Sequence, residues 1–229
     1  MKRSIQIILV IAIFAAASIS APAARLNGKL DEVLANMERA ARSIKMIEAE
    51  MRQEKRDMQI GGKEVYSGKI FFQHSGKDRD KLRINYSIPE GQVVAVVGDK
   101  ITLYQPAIKQ VILTTRQAQA SQNQEFSFIA TPYKSVPELK NQYNIVYAGD
   151  EQVGSSSTAK LELTPKGASS AKKLTLWVDQ SAWLPIKYQV IEKNNNVTTF
   201  SLSNLKQSGG ASDGTFNVSW PKDTKVVRR

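Results

Sequence analysis

Short segments in which apolar and polar residues alternate, each ended by turn-forming residues, follow one another along most of the chain. The first begins near Ile47 and runs until Gly61-Gly62. A period of two is typical of half-buried strands, and turns of a few residues join antiparallel neighbours. The same pattern predicts further strands at residues 65–73, 81–88, 92–97, 101–105, 110–115, 144–152, 158–164, 172–178, 184–193 and 197–207. We expect a mainly β (α+β) protein whose single curved antiparallel sheet has about eleven strands, more than a flat sheet usually holds.

Three segments depart from this pattern and predict helices. Apolar residues recur every three or four positions between Asn27 and Arg42, which is the spacing of an amphipathic helix. Residues 117–130 are rich in Gln, Ala and Ser, and residues 135–142 carry Pro137 in their first turn. Each of these two segments predicts a shorter helix. The stretches 208–214 and 222–229 predict a flexible loop and a polar tail.

The third predicted strand separates its side chains clearly. Leu82, Ile84 and Tyr86 share one face, whereas Arg83 and Asn85 share the other. An antiparallel sheet with one apolar face must bury that face against other elements. The three predicted helices are the elements that can cover it. They could pack on the sheet as an ordinary core, or leave a partly open apolar pocket because about eleven strands exceed what they can cover.

The amino terminus predicts export. Lys2 and Arg3 precede an apolar run over residues 7–17, and Ala21-Pro22-Ala23 offers small residues for cleavage. These are the parts of a secretory signal peptide. A transmembrane anchor is the alternative, but the run is shorter than the roughly 20 apolar residues that span a bilayer. We expect a signal peptide over residues 1–24, cleaved near Ala23 or Ala24, and one mature domain over residues 25–229.

Composition narrows the range of possible functions further. The chain has no cysteine, so it has neither a disulfide framework nor a lipid on an amino-terminal cysteine, and its core must hold the fold. The formal charge of +11 is dispersed among acidic residues and includes no long basic block. That dispersion argues against nucleic-acid binding. A modest positive field suits an anionic membrane surface or an acidic protein partner.

The catalytic inventory is small. His74 is the single histidine, and neither a paired-histidine motif nor a nucleophile elbow around Ser75 is present. Glu48 and Glu50 share a strand face but lie beside Arg52, which is typical of a solvated, charge-balanced surface. We therefore expect no enzyme, no metal and no cofactor.

Several motifs, taken in order, resemble one known family. They are Gly68-Lys69-Ile70-Phe71-Phe72, Lys81-Leu82-Arg83-Ile84-Asn85-Tyr86, Pro89, Val96-Val97-Gly98-Asp99-Lys100, Leu103-Tyr104-Gln105-Pro106 and Gln110-Val111, with weaker likeness in Leu176-Trp177-Val178-Asp179, Pro185, residues 197–200 and residues 216–221. Their order and spacing resemble the LolA family of periplasmic lipoprotein carriers. The likeness extends over nearly the whole mature chain.

The resemblance implies an unclosed β-barrel whose concave apolar face is lidded by helices. It also implies a periplasmic chaperone for outer-membrane biogenesis, which binds the acyl chains of lipoproteins. An inner-membrane lipoprotein-releasing transporter would load this carrier and an outer-membrane acceptor would unload it, and we expect a monomer. Transferred by motif position, the acyl-binding residues would be Ile70, Phe72, Leu82, Ile84 and Tyr86, with Val94 and Val96 as neighbours whose facing is open, and Phe126, Phe128 and Ile129 in the lid.

Two departures from the family pattern keep another interpretation open. His74-Ser75 stands where family members usually have an Arg-Pro pair, and Gly98-Asp99 stands where they favour Asp-Gly. The alternative is a LolA-like periplasmic module for another cargo, such as phospholipid or glycolipid, or one with RseB-like lipid sensing. Because the chain lacks cysteine, it does not fit LolB, the lipid-anchored acceptor of the same fold.

Overall fold

The computed structural model describes residues 21–73, 80–115, 118, 135–212 and 214–229, with side chains from residue 28 onward. Within these residues lie helices α1 (Ala21–Ser43) and α2 (Val136–Gln142) and a 3-10 turn at Pro106–Ile108. The strands are β1 (Met46–Arg56), β2 (Lys63–Gln73), β3 (Lys81–Ile88), β4 (Val93–Val97), β5 (Lys100–Gln105), β6 (Gln110–Thr115), β7 (Tyr143–Val153), β8 (Ser156–Pro165), β9 (Ala171–Asp179), β10 (Pro185–Glu192), β11 (Val197–Ser208) and β12 (Lys225–Arg228).

All twelve strands belong to one sheet. Its order is β12-β6-β5-β4-β3-β2-β1-β11-β10-β9-β8-β7. Two antiparallel meanders, β1 to β6 and β7 to β11, are joined where β1 pairs with β11. The edges β7 and β12 do not pair with each other, so the sheet is not closed into a barrel. The predicted fold class, mainly β with an unclosed sheet of short antiparallel connections, is confirmed.

The prediction of a polar tail after residue 222 is wrong. Residues Lys225–Arg228 form β12, which pairs parallel to β6 and makes the twelfth strand. The edge of β6 offers main-chain groups that β12 can pair with. The Lys225 N–H donates to the Lys109 carbonyl at 2.8 Å, and the Arg229 N–H donates to the Leu113 carbonyl at 3.0 Å. Main-chain pairing of this kind leaves little trace in side-chain pattern, because it depends on an edge formed elsewhere in the chain.

The first helix starts earlier than predicted. It begins at Ala21, where the apolar period had indicated Asn27. Alanine has the highest helix propensity, so Ala21, Ala23 and Ala24 extend the helix without needing an amphipathic pattern. The predicted cleavage site therefore lies within α1, and cleavage itself stays a prediction. The predicted helix over residues 117–130 lies outside the described residues.

One face of the sheet, here called the inner face, is mainly apolar. Pairing aligns Ile70, Ile84, Val94 and Leu103 in one row across β2, β3, β4 and β5. The same buried cluster continues on the other meander through Leu161, Leu163, Leu174, Leu176, Tyr188, Val190 and Phe200, and it includes Val33, Leu34 and Met37 of α1. The amphipathic face of α1 thus packs on the inner face, as the sequence predicts.

A hydrogen bond at the surface joins the two helices. The Val136 N–H at the start of α2 donates to Glu38 Oε2 of α1 at 3.0 Å, and Glu38 Oε1 forms a 3.2 Å salt bridge with Arg42. A capping box starts α2, because Ser135 Oγ accepts from the Glu138 N–H and the Glu138 carboxylate accepts from the Ser135 N–H. Helix α1 also packs against β7.

The opposite face, here called the outer face, is polar but partly covered by the chain after β11. Arg83 Nη1 donates to the carbonyls of Thr215 at 3.1 Å and Asn217 at 2.7 Å, while its Nε donates to Asn85. Burial lowers the pKa of Arg83. Phe216, between the two carbonyls, is buried. The guanidinium therefore fixes the segment that leads into β12.

We predict that Gly68→Ala destabilises the protein. A Cβ at Gly68 would lie 2.2 Å from the Asn85 carbonyl oxygen and 2.8 Å from the Tyr86 Cα, and backbone atoms cannot give way cheaply. Overpacking of this kind costs about 1–3 kcal/mol, which lowers Tm by roughly 2–4 °C per kcal/mol in a domain of this size. Gly62→Ala, whose Cβ would meet its nearest atoms at 3.8 Å, is the matched control. Equal Tm values for the two variants in thermal unfolding would contradict this account of the β2–β3 contact.

Replacing Arg83 should release the carboxy-terminal segment. Arg83→Met removes both hydrogen bonds that Nη1 donates to that segment, and hydrogen bonds to a partly buried charged group together contribute about 1–3 kcal/mol. We expect a lower Tm and faster tryptic cleavage after Lys222 and Lys225, followed by mass spectrometry. Lys100→Met, at an exposed position on β5, should leave both unchanged. If cleavage of the Arg83 variant is no faster than that of the control, Arg83 does not hold the segment.

Candidate apolar binding face

The structure brings together seven of the predicted acyl-binding residues. Ile70 and Phe72 lie on β2, Leu82, Ile84 and Tyr86 on β3, and Val94 and Val96 on β4, and none is more than 7% exposed. All seven point to the inner face. Pairing sets Phe72 beside Leu82 and Leu82 beside Val96, one row away from Ile70, Ile84 and Val94.

The structure also gives the facing of β4, which its all-apolar sequence leaves open. Val94 and Val96 pair with the inner-face residues Ile84 and Leu82, so they lie on the inner face. Ala95 lies between them on the outer face and is buried there as well. A strand buried on both faces has no alternation, which is why periodicity could not orient it.

The inner face is larger than the predicted set. It continues through Ile101 and Leu103 of β5 and through Ile47, Ala49 and Met51 of β1. Alternation on β1 and β5 could have identified these residues, because each strand was predicted with the correct period. They are not among the predicted site residues because those residues were transferred by motif position and not taken from the whole sheet face.

Aromatic rings occupy one end of this face. Tyr188 stacks on Phe200 with ring centroids 4.4 Å apart, and Tyr66 meets Tyr86 edge to face at 6.2 Å. Gln53, which is buried, pairs with Phe200 on one side and Tyr66 on the other. Rings of this kind bury large apolar surfaces and pack in offset-stacked or edge-to-face arrangements.

The remaining predicted site residues lie outside the described residues. They are Phe126, Phe128 and Ile129, which belong to the segment connecting β6 to α2. His74 and Ser75, between β2 and β3, also lie outside the described residues. Their roles stay predictions.

The described inner face is lined mainly by apolar and tyrosine side chains. In the described ranges, no three His, Cys, Asp or Glu residues are close enough to hold a metal ion. Burial, together with hydrogen bonding to Asp150, raises the pKa of Tyr147 on β7 to about 12, so this phenol stays protonated at neutral pH. The face therefore offers hydrocarbon and tyrosine rings to whatever it contacts.

Of the helices within the described residues, none combines the length and the apolar character needed to cross a bilayer.

Comparison with known families shows which family the chain belongs to. The family described as outer membrane lipoprotein carrier protein LolA matches residues 42–219, which is most of the chain. The chain belongs to the LolA family. This confirms the resemblance seen in the strand and turn motifs. The comparison with curated proteins gives no match.

Solved structures share the fold at low sequence identity. An uncharacterised conserved protein from Thermus thermophilus has a TM-score of 0.56 at 13% identity, covering 88% of this chain and 99% of its own. MucB has a TM-score of 0.55 at 15% identity, covering 87% of this chain and 66% of its own. A DUF1329 family protein from Desulfovibrio piger has a TM-score of 0.50 at 17% identity, covering 84% and 97%. These likenesses show that the fold is shared.

Proposed function

We propose that this LolA-family protein is a periplasmic carrier that binds the acyl chains of lipoproteins on its inner face and transfers them from the inner to the outer membrane. The observation that carries the proposal is the apolar row through Ile70, Ile84, Val94 and Leu103, one of several that together span the sheet. Membership of a family described as an outer membrane lipoprotein carrier supports it. An inner-membrane transporter would load the guest and an outer-membrane acceptor would remove it.

The location follows from the amino terminus. A basic pair followed by an apolar run and small residues is the pattern of a signal peptide that directs export. A carrier between two membranes must work in the aqueous space between them. Amino-terminal sequencing of the exported protein should give a start near Ala24 or Arg25.

The free energy of such binding comes from burying hydrocarbon. Each buried methylene contributes about 0.8 kcal/mol, so a long acyl chain binds strongly to a face of this size. Release then requires that the cover move. The α1–α2 contact made by Glu38 with the Val136 N–H is polar and near the surface. Contacts of this kind open at lower cost than the sheet itself.

A second candidate function is lipid binding in a regulatory complex. MucB, whose fold resembles that of this chain, has been solved in complex with MucA, with a TM-score of 0.50 to this chain. A LolA-like module can therefore take part in a protein complex. In that case the inner face would bind phospholipid or glycolipid without passing it on.

The binding face can be tested with neighbouring residues of β5 that point to opposite faces. Leu103 is half-buried on the inner face, and Thr102 is half-buried on the outer face. We predict that Leu103→Glu lowers the affinity for fatty acid about tenfold or more, because a carboxylate replaces buried hydrocarbon at the guest's position. Displacement of a fluorescent fatty acid measures this affinity. Thr102→Glu adds the same charge and should leave the affinity unchanged.

The length of the displacing fatty acid provides a second readout. Affinity should rise by up to about fourfold per added methylene until the face is filled. Leu103→Ser serves if the glutamate variant loses its β-sheet circular dichroism. Equal affinity of the Leu103 and Thr102 variants, or an affinity independent of chain length, would exclude the inner face as the site.

A further inference from the structure

A cleft of about 440 Å³ opens on the outer face, where β1, β11 and β10 run side by side. It lies on the opposite side of the sheet from the apolar face. Its lining residues are mostly polar or charged: Arg52, Glu54, Arg56, Met58, Lys187, Gln189, Val197, Thr199 and Ser201. The proposed carrier function uses none of these side chains.

Three of the four charged residues in the cleft are cations. Glu54 is the one acid, and it is shared: Arg56 Nε lies 2.8 Å, Lys63 Nζ 3.0 Å and Arg52 Nη2 3.4 Å from its carboxylate oxygens. Hydrogen bonds from Lys63 and Arg56 lower the pKa of Glu54. A single carboxylate cannot neutralise three cations, so the cleft keeps a positive excess.

Lys187 adds to that excess. Its ammonium lies 4.3 Å from the ring centroid of Trp177. The pKa of Glu151 is lowered mainly by its hydrogen bond with Lys160 and also by the charge of Lys187, but its salt bridge is with Lys160. An ammonium over an indole ring keeps its charge and is held in place by the ring. Lys187 is therefore a positioned cation that can accept an acidic partner.

Strand register sets the spacing of these cations. Arg52 pairs with Ser201, and Ser201 pairs with Lys187, so one strand separates the two cations. Beyond Lys187, Trp177 pairs with Lys160, but Lys160 lies outside the cleft and forms a 3.0 Å salt bridge with Glu151. Neighbouring strands lie about 4.8 Å apart, so the backbone positions of Lys187 and Arg52 lie about 10 Å from each other.

We propose that this cleft binds an acidic peptide segment in polyproline II conformation, with carboxylates three residues apart. A polyproline II chain has three residues per turn and advances about 3.1 Å per residue, so carboxylates three residues apart lie on the same side of the peptide, about 9 Å from each other. This separation matches the spacing of Lys187 and Arg52. Hydroxyl and amide groups line the cleft between the cations, where Gln189 Nε2 donates to Thr199 Oγ1 at 3.1 Å. These groups can bond to the main chain of the peptide. A concave, polar cleft favours a peptide over a flat bilayer surface.

The test measures binding of a fluorescein-labelled peptide, Glu-Ser-Gly-Glu-Ser-Gly-Glu, to the full chain by fluorescence anisotropy at low salt. We expect Lys187→Glu and Arg52→Glu each to weaken binding about fivefold or more, since reversal replaces an attraction with a repulsion. Lys100→Glu changes the net charge equally on exposed β5, and its affinity should match that of the unchanged protein. Binding should also weaken as salt is raised.

A peptide of the same composition with the three glutamates adjacent is the spacing control, and it should bind more weakly. Vesicles of phosphatidylglycerol and inorganic phosphate are tested in parallel. Equal binding of the two peptides, equal loss in the Lys187 and Lys100 variants, or an effect of Lys187→Glu on vesicles alone would each overturn the proposal. Fatty-acid displacement should stay unchanged in Lys187→Glu, so this result is independent of the inner-face function.

Discussion

The pleat of one continuous sheet is the constraint on which the rest of this structure depends. Successive side chains point to opposite faces, and the pairing keeps Ile70, Ile84 and Val94 on the same side across three strands. A shift of one residue in any strand would reverse its faces. The register therefore creates two surfaces of opposite chemistry from one polypeptide. Each proposed binding site lies on one of them.

Much of this was readable from sequence, because alternation reports directly on which face a residue occupies. The bounds of β3 and β6 coincide with the predicted segments, and the inward facing of Leu82, Ile84 and Tyr86 followed from period alone. Gly68, recognised as part of a family motif, acquires a physical reason in the structure, since the Asn85 carbonyl leaves no room for a Cβ.

What the sequence could not show depends on contacts between distant segments. The parallel pairing of β12 with β6 needs an edge that forms more than 100 residues earlier. Arg83 was assigned to a polar face, but its carbonyl partners at Thr215 and Asn217 lie 132 and 134 residues away. The outer cleft is similar, because Arg52 and Lys187 become neighbours only through β11.

Under the two proposals the surfaces have separable tasks: hydrocarbon is buried on one face while the other binds a partner. The central claim is that the inner face holds an acyl guest. Native mass spectrometry of the protein purified without detergent from the periplasm of a lipoprotein-producing cell tests it most directly. We expect a population whose mass exceeds that of the polypeptide by an acylated lipoprotein, which is released by organic solvent. Recovery of the bare polypeptide mass alone from such cells would contradict the account.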